Sequence, residues 1–89
     1  MNFASPDGTY DLMARAIVFI NAFSGTPELV KDLGKIEGVR EAHSSLGMYD
    51  AVAMVQADSL GQVKDIVTKQ IRTMDRVKST LTLTVVDPP

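Results

Sequence analysis

The chain has 89 residues, no cysteine and a formal net charge of −2, with nine basic against eleven acidic side chains. This length predicts a single domain that buries only about two-thirds of the surface its unfolded chain exposes, so association with a second copy is expected to stabilise it. The lack of cysteine excludes disulfides and thiolate metal sites, and the balance of charge argues against a nucleic-acid-binding surface. No stretch reaches the roughly 20 apolar residues of a membrane helix, and we expect a cytoplasmic protein with no cofactor and no metal.

The first elements of the chain are a tail and a buried strand. Residues 1–13 are polar and contain Pro6 and Gly8, which predicts an N-terminal tail rather than a signal peptide. The domain is expected to span residues 14–87, with residues 88–89 as the C-terminal end. Residues 15–22 form a continuous apolar run rich in β-branched side chains, which predicts a central strand covered on both faces.

Helix signals follow this strand. Thr26 offers a hydroxyl for the N-cap, Pro27 suits the first helical position, and Glu28 lies near the positive end of the helix dipole. The apolar residues that follow have helical spacing: Leu29, Val30, Leu33 and Ile36. Gly38 is expected to end this helix in a left-handed conformation.

A hairpin is predicted next, with strands at residues 39–46 and 50–57 and a turn at residues 47–49. Turns normally select small polar residues, yet this one contains Met48 and Tyr49. Either another surface or a ligand is therefore expected to cover the turn.

The last two elements are a second helix and a final strand. Ser59 and Gln62 match a capping box, and a buried helical stripe is predicted for Leu60, Val63, Ile66, Val67, Ile71 and Met74. Residues 77–86 alternate between an apolar and a more polar face, which predicts a strand that the C-terminal prolines end.

The order β-α-β-β-α-β predicts an α+β fold, the ferredoxin-like sandwich, with two helices on one face of a four-stranded antiparallel sheet. The other face is left uncovered. Because the first and third strands are apolar on both sides, we expect two copies to form a dimeric α-β plait through these faces.

In order and spacing, these elements resemble the RAM domain, the effector-binding half of the Lrp/AsnC (leucine-responsive and asparagine-regulator) transcription factors. The shared pattern is an apolar strand, a helix ending in x-G-V, a G-x-Y-D hairpin, a capped helix and a strand with alternating threonines. This chain carries it at residues 16–22, 36–39, 47–50, 60–71 and 77–82. The thirteen residues before the first strand are too few for the family's winged helix-turn-helix, so we expect a stand-alone RAM protein without its own DNA-binding domain.

The resemblance implies a sensor of an amino acid or related small molecule that acts in transcription regulation, forms a homodimer and assembles into a ring of dimers. A full-length Lrp/AsnC-type regulator is a further candidate partner, and neither nucleic acid nor membrane is expected to bind directly. Carried over to this sequence, the effector-binding residues are Gly47, Met48, Tyr49, Asp50, Thr80 and Thr82. Gly47 and Met48 would bring backbone N–H groups to a carboxylate, and Asp50 would accept hydrogen bonds from an ammonium group or hold the turn. The threonines would supply hydroxyls, and the tyrosine would cover the pocket or bond across the interface.

Each of these residues also fits a purely structural role. Asp50 suits a turn capped through its own backbone, and Gly47 suits turn geometry whatever the function. Thr80 and Thr82 are favoured in strands for their branching alone. Met48 and the adjacent tyrosine equally suit packing at an interface.

Two other function classes stay open. A small ferredoxin-like dimeric enzyme of the α+β-barrel monooxygenase or isomerase type would use His43 and Tyr49 for acid–base work. The chain has no Ser-His-Asp or Cys-His set and no phosphate-binding loop, so we expect no catalysis and an exposed, structural His43. The other class is a ligand-free interaction module that modulates full-length regulators in mixed oligomers.

Overall fold

The structure, a computed structural model, describes residues 14–85 and, as backbone, residues 3–4 and 10–11. Two short strands, β1 (Phe3–Ala4) and β2 (Tyr10–Asp11), pair antiparallel in a sheet of their own. The rest of the predicted tail and the predicted C-terminal end lie outside the described residues.

The main domain consists of four longer strands and two helices. They are β3 (Ala14–Ala22), α1 (Thr26–Leu33), β4 (Val39–Ser44), β5 (Ala51–Ala57), α2 (Leu60–Asp65) and β6 (Val77–Val85). A π-helical segment, Ile66–Ile71, continues α2. The strands form one antiparallel sheet in the order β4-β5-β3-β6, which confirms the predicted ferredoxin-like fold.

Both helices cover the same face of this sheet. Every second residue of the two central strands is fully buried on that side: Ala16, Val18 and Ile20 on β3, and Ala51, Ala53 and Val55 on β5. They belong to one cluster with buried residues of the helices, namely Leu29, Leu33, Val63, Val67 and Ile71. The alternation of a half-covered sheet thus places the core between the sheet and the helix layer.

The opposite face of the sheet has no layer over it among the described residues, and we call it the open face. At its centre, Phe19 pairs with Val52 and Leu81, and Ile17 pairs with Met54 and Leu83. Leu81 is 46% exposed and Leu83 48% exposed. The leucines of β6 therefore point to the open face, and its threonines point to the helix layer. A cover for both faces of β3 stays a prediction.

The N-terminus of α1 differs from the expectation by one residue. The N-cap is Gly25, in a left-handed conformation with φ 68°, and no side chain caps the helix. Thr26 is the first helical residue, so the predicted N-cap was wrong. A Cβ on Gly25 would lie 3.0 Å from the guanidinium of Arg76, which packs against the turn. The chain reverses tightly after β3, and only glycine adopts this conformation there without strain.

The end of α1 also differs. The helix ends at Leu33 with Gly34 as its C-cap. Beyond it, two hydrogen bonds of the 3₁₀ type, each between residues three apart, tighten the chain. Gly38 was predicted to end this helix, and that prediction was wrong. The residue instead precedes β4, with φ 97°. A Cβ there would lie 2.6 Å from Cδ1 of Ile66. The close approach of the second helix, rather than a helix end, is what requires glycine at this position.

The second helix begins as predicted. The Ser59 hydroxyl accepts a hydrogen bond from the Gln62 N–H at 3.2 Å, and the Gln62 side chain accepts one from the Asp58 N–H at 3.0 Å. Leu60 is 56% exposed and does not belong to the buried stripe, which corrects the prediction. It occupies the first helical turn, outside the main core cluster.

The hairpin has shorter strands than expected. β4 ends at Ser44 instead of residue 46, β5 starts at Ala51, and the connecting loop spans residues 45–50. The register of β4 against β5 shifts between Val39 and Glu41, which leaves one bulged residue between them. Val86, the last residue of the predicted final strand, lies outside the described residues.

Candidate functional site

The loop at residues 45–50 projects from the end of the sheet. Leu46 is fully exposed and Met48 is 86% exposed, although both are large apolar side chains. Gly47 adopts φ 109°, and a Cβ on it would meet nothing within 4 Å. This backbone conformation favours glycine and keeps the tip of the loop open to solvent. Leu46 and Met48 thus form an exposed apolar tip.

Asp50 fastens the base of this loop to β3. Its Oδ2 accepts a hydrogen bond from the Ala22 N–H at 2.7 Å, and its own N–H donates to the Ile20 carbonyl at 2.9 Å. The Ser45 N–H donates to the Asp50 carbonyl, also at 2.9 Å. A hydrogen bond to an ionised group is stronger than a neutral one. In the described chain, then, one carboxylate oxygen already holds the turn.

Tyr49 lies beside the open face. Its ring packs against Phe19 with a centroid separation of 5.2 Å and an angle of 40° between the ring planes. Aromatic pairs at this separation are favourable. The loop is therefore attached to the apolar centre of the open face as well as to the end of β3.

Thr80 and Thr82 lie on the other side of the sheet, in a cavity between α2 and β6 that we call the α2–β6 cavity. Its volume is about 550 Å³. Four threonines line it, Thr68, Thr80, Thr82 and Thr84. The Thr68 hydroxyl donates to the Lys64 carbonyl of its own helix at 2.9 Å. Its apolar wall is formed by Leu60, Val63 and Val67, and two cationic side chains, Lys64 and Arg72, complete it. A concave, partly apolar site with a few polar groups is typical of small-molecule binding.

Within one chain, the predicted site residues form two groups. The α2–β6 cavity has no wall from the loop at residues 45–50. Ile20 pairs with both Ala51 and Thr80, so the two groups lie at the same end of the sheet with β3 between them. A strand spacing of about 4.8 Å puts Ala51 and Thr80 roughly 10 Å apart. Within a single chain, the two groups therefore do not line one cavity.

Sequence reasoning missed several residues of this cavity. Thr84 continues the alternation of Thr80 and Thr82, a signal that was present in the sequence. Lys64, Thr68 and Arg72 recur at a spacing of four residues, which places them along one side of a helix. The π-helical turn in this region, closed by a hydrogen bond from the Arg72 N–H to the Val67 carbonyl at 2.8 Å, had no recognisable sequence signal.

A second cavity, of about 560 Å³, lies on the other side of the same helix, and we call it the α2–β5 cavity. Both signs of charge line it, from Glu37, Arg40, Asp58, Asp65 and Lys69. Two of these side chains already form an exposed ion pair, with 3.7 Å between Lys69 Nζ and Asp65 Oδ1. The two sides of α2 thus differ sharply in charge.

His43 lies on the exposed surface of β4. Its Nε2 is 3.2 Å from Oε1 of Glu41, two residues away on the same strand. It lines neither of the two cavities described above. An exposed histidine on an edge strand has no enclosed space in which to act on a substrate.

Two general features concern the part of the chain that the structure describes. No helix in it is long and apolar enough to cross a membrane. Within residues 14–85, no three His, Asp or Glu side chains lie together in an arrangement that could hold a metal ion.

Comparison with known families gives one match. Residues 15–89 match the family model described as the Lrp/AsnC ligand binding domain. A comparison with curated protein sequences finds no significant match.

Two solved structures with this fold have similar sequence identity to this chain. AsnC of E. coli is 26% identical with a TM-score of 0.77, and the alignment covers 85% of this chain and 52% of that one. TTHA0845 from Thermus thermophilus is 28% identical with a TM-score of 0.77, and the alignment covers 85% and 96%. The chain therefore spans about half of AsnC and nearly all of the Thermus protein.

A third structure shares the fold at lower identity. It is the transcriptional regulator NMB0573 from Neisseria meningitidis in complex with L-Met. It is 14% identical with a TM-score of 0.76, and the alignment covers 96% of this chain and 56% of that one.

Proposed function

Since the chain belongs to the Lrp/AsnC ligand-binding domain family, we propose that it senses an amino acid or a related small molecule and couples binding to its own assembly. The match over residues 15–89 is the observation that carries this proposal. The family and the neighbours that are named by function are transcription regulators rather than enzymes. In this proposal, residues 15–89 bind the effector and form the assembly, and a partner regulator in the cytoplasm contacts the DNA.

The proposed assembly begins with a homodimer through the open face. Ile17, Phe19 and Met54 are only partly buried, whereas the other side of these two central strands is buried beneath the helices. Burial of apolar area is worth about 25 cal/mol per Å², which favours pairing of two such faces. The exposed tip at Leu46 and Met48 supports further contacts between dimers, because apolar side chains at such exposure favour a covered state.

The proposed effector binds where protomers meet. It occupies the α2–β6 cavity against Thr80 and Thr82, and the loop at residues 47–50 of a neighbouring protomer covers it. Gly47 leaves its backbone free to approach a ligand closely, since no side chain stands in the way. The backbone of this loop and the two threonines then contact one molecule.

The test is a thermal-shift screen of the twenty amino acids, with the mass of the assembly followed by light scattering. A ligand that binds only the folded state at about 100 times its Kd adds roughly 2.7 kcal/mol, which raises the Tm of a domain this size by several degrees. We expect at least one amino acid to raise the Tm of an oligomer.

Two variants separate the sensor from the other function classes. Asp50→Ala is expected to weaken the effect of the ligand, because the covering loop loses its bond to Ala22. His43→Ala is the matched control and is expected to leave it unchanged; the reverse result would favour an enzyme. A flat screen with an intact oligomer that captures a full-length regulator would instead indicate a ligand-free interaction module.

A further inference from the structure

The two cavities beside α2 are similar in volume, but they differ in the charged residues that line them. The α2–β5 cavity contains three carboxylates and two cationic side chains. The α2–β6 cavity contains Lys64 and Arg72, and none of its described lining residues is acidic. The same helix thus separates a surface of mixed charge from one that carries only positive charge.

Two positive charges without a negative one favour an anionic ligand. The guanidinium of Arg72 presents parallel N–H donors that match the two oxygens of a carboxylate. The hydroxyls of Thr80 and Thr82 add donors on the facing strand. A ligand with a cationic side chain would meet like charge from both Lys64 and Arg72, which is unfavourable at short range.

The remaining wall of the cavity is apolar. Leu60, Val63 and Val67 are aliphatic, and Leu60 is the one among them that is largely exposed. An aliphatic group of a ligand would shield it from water, with a gain proportional to the apolar area removed from solvent. The lining therefore offers both cationic groups for a carboxylate and an aliphatic surface for a hydrocarbon tail.

The described residues of the same lining contain no carboxylate to pair with an ammonium group, for which only threonine hydroxyls are available as side-chain acceptors. Asp50 is the acidic residue among the predicted site residues, and its Oδ2 already accepts the Ala22 N–H. A ligand in this cavity therefore gains its charged contacts through its carboxylate, with an amino group adding little.

We propose that the α2–β6 cavity selects small carboxylates with an uncharged aliphatic side chain and does not require their amino group. This inference rests on the proposed function, since it names the class of effector for the same site. The cavity accepts a branched aliphatic amino acid and the corresponding 2-oxo acid, and it excludes lysine and aliphatic amines.

Calorimetric titration of the full chain with four probes tests the proposed class. L-leucine and 4-methyl-2-oxopentanoate are expected to bind with similar Kd values, whereas isopentylamine and L-lysine are expected to bind at least about tenfold more weakly, the scale of one charge-assisted contact. Equal binding of isopentylamine, or binding of lysine alone, would overturn the assignment. If none of the twenty amino acids binds, the proposed sensing of amino acids fails together with this assignment of the cavity.

Variants on the two sides of α2 locate the site. Arg72→Gln is expected to raise the Kd for leucine and for the oxo acid about tenfold or more. Lys69→Gln is the matched control, because it removes a cation from the α2–β5 cavity and leaves the α2–β6 cavity intact. Unchanged melting of both variants without ligand shows that they fold. Binding of leucine that responds to neither variant, or equally to both, would contradict the proposal while sustaining amino-acid sensing.

Discussion

The two faces of strand β3 have the same apolar character in the sequence but different positions in the fold. Val18 and Ile20 are fully buried beneath the helices, whereas Ile17 and Phe19 on the open face stay partly exposed. The covered face receives its partners from the same chain, because the two helices fold back onto it. We expect a second molecule to cover the open face. A continuous apolar strand therefore indicates two burial events, and only one of them has to occur within the chain.

The largest effect is expected on the covered face. Ile20→Ala removes a fully buried side chain from the centre of the core and leaves a cavity, which costs about 2–5 kcal/mol of unfolding free energy. Urea unfolding followed by circular dichroism measures this loss. It is expected at every protein concentration, because the core lies within one chain. A loss that disappears on dilution would show that this face also depends on a partner.

The open face is expected to respond differently to the same change. Ile17→Ala removes an equal volume from the other face of the same strand, yet the side chain is only partly buried in the single chain. Burial of such a side chain in an interface is worth about 1.5–3 kcal/mol, so the dimer dissociation constant should rise about tenfold to a hundredfold. Sedimentation velocity across a dilution series measures it. If Ile17→Ala leaves the association unchanged, the open face is not the dimer interface.

The contrast between the faces also explains how much the sequence could predict. The apolar runs of β3 and β5, the alternation along β6 and the capping box at Ser59 are local signals, and they correctly predicted the sheet, the helices and their order. Thr26 and Gly38 were misassigned because distant side chains decide there: Arg76 packs on the preceding turn, and Ile66 approaches Gly38. A local sequence pattern does not show which side chains from distant parts of the chain pack against a residue.

The candidate site shows the same limit. Thr80 and Thr82 were assigned with the loop at residues 47–50, but an alternating strand does not reveal which of its faces meets the helices. The pairing of β6 with β3 settles this, since Val18 and Thr82 are paired across the two strands and Val18 is part of the core. Arg72 lines the cavity because α2 and its π-helical continuation pack on that face. The sequence of β6 alone does not indicate this packing.

The smallest expected effect concerns the loop at residues 45–50, which is attached both to the end of β3 and to the open face. Asp50→Ala removes the acceptor of the Ala22 N–H and is expected to cost about 1–3 kcal/mol of unfolding free energy. Asp50→Asn is the matched control: it keeps a carbonyl oxygen at the same position but loses the charge, so it should retain part of the bond. Because Tyr49 is adjacent and packs on Phe19, loosening the loop should also weaken association through the open face. Urea unfolding and sedimentation of both variants separate the two effects. Full stability in Asp50→Ala would mean that its carboxylate is free to serve a ligand instead of the turn.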